Sequence, residues 1–150
     1  MRKFLFFLLL LAFLSVSCGK QTNILKKGEA EELLQDVLSH FQLAEGTIYS
    51  TGLLSENPLT DALLARMFPE QGDTDDLYCV RSAAVYFSKR FSDGEILVFE
   101  LYDISNRDKI TALFQKRAKK KENAVVLSDG VYIYWICTDR NGEISRYLKP

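Results

Sequence analysis

A chain of 150 residues, 47% hydrophobic and 26% charged, has room for one globular domain and enough apolar content to fold it. Its formal net charge of −1 gives no reason to expect a nucleic-acid partner. The first segment stands apart from the rest. Arg2 and Lys3 precede eleven apolar residues, Phe4 to Leu14, about half the 20 that a membrane-spanning helix needs. A basic start, a short apolar core and the small residues Ser15 and Ser17 read as a signal peptide over residues 1–17. Its removal takes away two cations and moves the net charge from −1 to −3.

Ser15-Val16-Ser17-Cys18 resembles a bacterial lipobox, with Leu14 one step further from the cysteine than the usual leucine. The resemblance implies cleavage before Cys18 and lipid attachment to it. The partner would then be a membrane, reached through lipid on Cys18 at the extracytoplasmic face. Each buried CH₂ contributes about 0.8 kcal/mol, so more than one acyl chain holds a protein stably. Two alternatives stay open: an ordinary signal peptidase cutting near Ser15 and Ser17, and an uncleaved leader serving as the anchor.

Residues 18–28 carry polar residues, among them Lys20, Lys26 and Lys27, with little periodicity, and read as a lipidated tether. Residues 29–150 form the single domain. From Glu29, the spacing of Leu33, Leu34, Val37, Leu38 and Phe41 predicts an amphipathic helix. Glu29, Glu31 and Glu32 fall where the helix dipole favours anions, and Gly46 is its expected stop. A second helix is expected from Asn57 as cap and Pro58 at the first position, carrying Leu59, Leu63, Leu64 and Met67.

Strands are predicted over Tyr78–Lys89 and Ile96–Tyr102, with Asp93-Gly94 as a hairpin turn. The same Asp-Gly signal recurs at Asp129-Gly130, between Ala124–Leu127 and Val131–Cys137. Between the hairpins, Ser105 or Asn106 caps a helix bearing Ile110, Leu113, Phe114 and Ala118. The last segment, from Gly142, reads equally as a third hairpin or a final helix. The expected fold is α+β, an antiparallel sheet of two β-hairpins with helices packed on one face, in the order α-α-β-β-α-β-β-(α).

Asp93-Gly94-Glu95-Ile96-Leu97-Val98-Phe99, a helix, and then Ser128-Asp129-Gly130-Val131-Tyr132-Ile133 resemble a family of bacterial lipoproteins known as domain of unknown function 4358. That resemblance implies an α+β domain on an exported lipoprotein and lends no activity.

Chemistry-bearing residues are few. The single histidine, His40, lies on the first helix. No G-x-S-x-G, H-E-x-x-H or phosphate-binding glycine loop occurs. The acidic run Asp73-Thr74-Asp75-Asp76 lacks the ligand spacing of a calcium loop, and Lys119–Lys121 reads as a solvated helix end. No catalytic residue, metal site or cofactor is assigned. Cys79 and Cys137 are a candidate disulfide, since an exported chain meets oxidising conditions; two small buried side chains are the alternative. A two-residue turn at Asp93-Gly94 would oppose Ser92 with Glu95, Arg90 with Leu97, Ser88 with Phe99 and Tyr86 with Leu101. That register gathers Arg81, Phe87, Lys89, Glu100 and Tyr102 on one mixed face, a candidate partner surface. The expected function is therefore non-catalytic, an envelope lipoprotein binding a protein or a surface polymer. The alternative is a small envelope hydrolase using carboxylates brought together by the fold.

Overall fold

The computed structural model describes residues 29–70, 72–90 and 94–149. The signal peptide, Cys18 and the tether therefore lie outside the described residues. The order is α1 (Ala30–Phe41), β1 (Gly46–Ser50), α2 (Asp61–Met67), a 3₁₀ turn (Asp75–Cys79), β2 (Val80–Ser88) and β3 (Gly94–Leu101). A second 3₁₀ turn (Ile104–Asn106) leads into α3 (Arg107–Ala118), β4 (Val125–Asp129), β5 (Tyr132–Thr138) and α4 (Asn141–Leu148). The fold is α+β, with one five-stranded antiparallel sheet in the order β1-β2-β3-β5-β4. Both expected hairpins are present, and β3 and β5 pair to join them.

Helices cover both faces of this sheet, which corrects the expectation of one. On one face, Leu34, Val37 and Phe41 of α1 and Ile144 and Leu148 of α4 pack on Ala84, Tyr86, Ile96, Val98, Tyr134 and Ile136. On the other, Met67, Phe68, Ile110, Leu113 and Phe114 pack on Ala83, Val85, Leu97, Phe99, Ile133 and Trp135. The physical reason is in β3, all of whose residues are buried. A strand covered on both sides needs a continuous apolar run, which Ile96 to Phe99 supplies, where a half-solvated strand would alternate. Each fully buried Leu or Val from the helices contributes roughly 1.5–3 kcal/mol.

Three local expectations change. Gly46 does not stop α1, which ends at Phe41; it opens β1, where a Cβ would meet Phe87 O and the Tyr86 ring at 2.3 Å. The second helix is capped by Thr60, whose hydroxyl accepts from Leu63 N at 3.3 Å. Asn57 and Leu59 instead bond Ser50, through Ser50 N to Asn57 O at 3.1 Å and Leu59 N to Ser50 O at 2.8 Å. The ambiguous C-terminus is a helix. The β4–β5 hairpin turns through Gly130-Val131, with Gly130 at φ 57°, a conformation that suits glycine.

The β2–β3 register also differs. Phe87 pairs with Glu95, Val85 with Leu97 and Ala83 with Phe99, so the connection is longer than an Asp93-Gly94 turn. The slip is an odd number of residues, and it turns one strand's side chains to the opposite face.

Candidate functional site

The first turns of α1 run over β2 and β3, held there by a network at its start. Ala30 N donates to Ser82 Oγ at 3.1 Å, and the Ser82 hydroxyl donates to the buried Glu100 carboxylate at 2.7 Å. Arg81 reaches the same carboxylate at 3.3 Å, and the Tyr132 hydroxyl donates to it at 3.5 Å. The helix start is thereby fixed over β2 and β3, and its Glu31 reaches Ser50 at the end of β1, with Gln35 beside it.

The loop after β1 is pinned at its base. Thr51 N donates to Ala83 O at 2.9 Å, and Ala83 N returns a bond to Thr51 Oγ1 at 2.9 Å. Ser55 N closes a turn on Gly52 O at 3.1 Å, and Ser55 Oγ donates to Asn57 O at 2.9 Å. At the tip, Leu53 and Leu54 are exposed by 104% and 97%. An apolar pair held wholly in solvent on a tied loop is more than scattered surface hydrophobicity.

Two adjoining hollows of ≈ 430 and ≈ 590 Å³ follow from this arrangement. Glu31, Gln35, Leu54 and Ser55 line both; Glu29 and Leu53 extend the first, and Gly46, Ile48 and Glu56 the second. Together they form one groove between α1 and the outer edge of β1. Glu31 accepts from the Ser50 hydroxyl and from Gln35 Nε2, the latter at 3.1 Å, which sets its carboxylate on the wall. No lysine or arginine is among the described residues lining the groove.

The strand edge supplies hydrogen bonds as well. Ser50 N points outward to Asn57, and Thr51 N points inward to Ala83. Alternation along an antiparallel strand then turns the N–H and C=O groups of Gly46 and Ile48 away from β2, into the groove. The groove thus combines open backbone groups, two exposed leucines and several carboxylates, a chemistry that fits an extended, cationic, apolar-bearing chain.

The residues singled out from sequence are not gathered into one surface. Arg81 and Glu100 pair with each other, while Phe87 lies on the opposite face, edge-to-face with Tyr49 at 6.0 Å between centroids. Lys89 pairs with Glu45 on the β1 side, and Tyr102 follows the far end of β3 with 70% of its surface exposed. The register slip is the reason.

Cys79 and Cys137 are both free thiols, which corrects the disulfide. Cys79 adjoins Val80, which pairs with Leu101, whereas Cys137 pairs with Glu95. Six residues of β3 separate those positions, about 20 Å at strand rise, and a bridge needs Cα atoms within about 7 Å. Burial pushes both thiols up from their ordinary value.

Glu95 and Glu100 stand five residues apart on β3, on opposite faces. Glu95 is held by Arg117 and by Lys121 at 2.7 Å. In the acidic run, Asp73 takes Lys116 at 2.9 Å, and Lys120 bonds Glu70 at 3.3 Å. His40 stacks on Tyr147 at 4.3 Å, at the other end of α1 from the groove. Among the described residues no cluster of three or more His, Cys, Asp or Glu could hold a metal, and no helix is long and apolar enough to cross a membrane.

The chain matches no family model, no curated protein and no solved structure at a significant level. The groove was missed from sequence because residues 46–50 were not read as a strand. The signals were Thr47-Ile48-Tyr49, a β-branched and aromatic run behind a glycine, and Leu53-Leu54 inside a turn-rich segment.

Proposed function

We infer that this chain is a non-catalytic lipoprotein of the bacterial cell envelope, anchored through Cys18, whose domain captures a partner in the groove beside β1. The observation that carries the reading is the full exposure of Leu53 and Leu54 on a loop tied down at its base. A few apolar anchors in a polar rim carry most of the energy of protein recognition. A protein segment suits this site better than an anionic surface polymer, because the lining charges are carboxylates. The leader and its cysteine support a partner outside the cytoplasm.

The test compares crosslinked partner capture by the wild type and by the Leu53→Ser/Leu54→Ser variant in intact cells. Neither leucine packs in the core, so stability should stay within about 0.5 kcal/mol of wild type. The expected outcome is loss of the captured species with an unchanged thermal midpoint. Equal capture by both proteins would reject the groove.

A further inference from the structure

The first described residue, Glu29, is itself a wall of the groove. The chain upstream therefore leaves the domain at the groove's mouth, and its composition complements what it meets there. Lys20, Lys26 and Lys27 are opposite in charge to Glu29, Glu31, Glu32 and Glu56 of the groove, and Ile24 and Leu25 match Leu53 and Leu54 in apolar character. We propose that residues 20–27 of this same chain lie extended in the groove, along the outer edge of β1, whenever no partner occupies it. This rests on the reading of the groove as a chain-binding site and names its resting occupant.

Reach is sufficient. Nine residues upstream of Glu29 span up to about 30 Å when extended, about twice the length of the five residues of β1. The outward N–H and C=O groups of Gly46 and Ile48 accept an added strand by main-chain bonding, whatever its side chains. Attachment at Glu29 gives the segment a high effective concentration, so weak contacts are enough to fill the groove. A partner then binds by displacing the tether. Displacement releases the eight residues 20–27 between the lipid and the domain, so capture and reach from the membrane are coupled.

Amide hydrogen exchange on protein purified in mild detergent from cells expressing the full chain tests this. In the wild type the amides of Gly46 and Ile48 should be protected although no described strand covers them. In the Lys20→Glu/Lys26→Glu/Lys27→Glu variant they should exchange at least about tenfold faster, while Leu97 and Tyr134 in the central strands stay slow. The wild type offers a second reading, because about 0.5 M salt screens the pairing and should speed the same two amides. Rates that neither the variant nor salt alters would overturn the proposal. So would protection that grows with protein concentration, which would assign the groove to a second copy. Unaltered exchange together with lost capture in Leu53→Ser/Leu54→Ser would discard the self-docking and leave the partner site standing.

Discussion

Glu95 shows how one residue ties three elements together. Its side chain is 2% exposed at the start of β3, yet it is held by Arg117 and Lys121 from α3 and its end. The Arg117 guanidinium sits 5.1 Å from the Trp135 ring centroid and 5.9 Å from that of Phe68, and its Nη1 donates to Met67 O at 2.7 Å. Removing the carboxylate strands a cation among aromatic rings. Glu95→Leu should therefore cost about 3 kcal/mol in urea unfolding. The double variant Glu95→Leu/Arg117→Met should cost at least about 1 kcal/mol less than the sum of the two single changes. Strict additivity would show that the two side chains act independently. None of this was legible in sequence, where Glu95 is the residue beside a turn glycine. What decides its partners is the register, and residues 91–94 allow more than one loop length. At Asp129-Gly130 the Asp-Gly signal marked the right hairpin, although Asp129 pairs with Tyr132 and the turn is Gly130-Val131. At Asp93-Gly94 it placed the right strands in the wrong register, and that slip is what scattered Arg81, Phe87, Lys89, Glu100 and Tyr102.

At the scale of elements, α4 is the clearest case of tertiary contacts settling an ambiguous sequence. Arg140 donates to Phe41 O at 2.7 Å and lies 5.0 Å from the Phe41 ring centroid. Its other nitrogens reach Glu143, with Nη2 to Oε2 at 2.6 Å. Tyr147 OH donates to Asp36 Oδ2 at 2.7 Å. These bonds lock α4 against α1, and a hairpin reading of residues 139–148 would have made none of them. The hydrogen bond from Arg140 holds the Glu143 carboxyl below its ordinary 4.5. A carboxyl depressed by folding contributes stability above its unfolded pKa and loses it as the pH falls through the folded one. Glu143→Gln should accordingly show a smaller drop in thermal midpoint than wild type between about pH 5 and about pH 3. An identical drop in both would remove Glu143 from the acid response. The amphipathic helices α1 and α3 were legible because their apolar stripes recur at helical spacing. β1 was not, since five residues between a helix and a turn-rich loop give too short a pattern to separate from either.

For the whole molecule, one sheet wrapped by helices on both faces leaves little room for a buried site and puts recognition at an edge. The continuous run Ile96–Phe99 was the sequence's sign of that enclosure, and taking the second face as a mixed partner surface left helices expected on only one. On the proposed reading, the groove at β1 and the chain preceding Glu29 connect a membrane anchor to a partner. That path has meaning only if the protein is exported and held at Cys18, since the compartment decides which partners the groove can meet. Fatty-acid labelling of cells expressing the wild type and Cys18→Ala tests this most directly. The account predicts labelled wild-type protein, shortened by the 17 residues of the leader, and no label on Cys18→Ala. Equal labelling of the two, or an unlabelled full-length wild type, would contradict it.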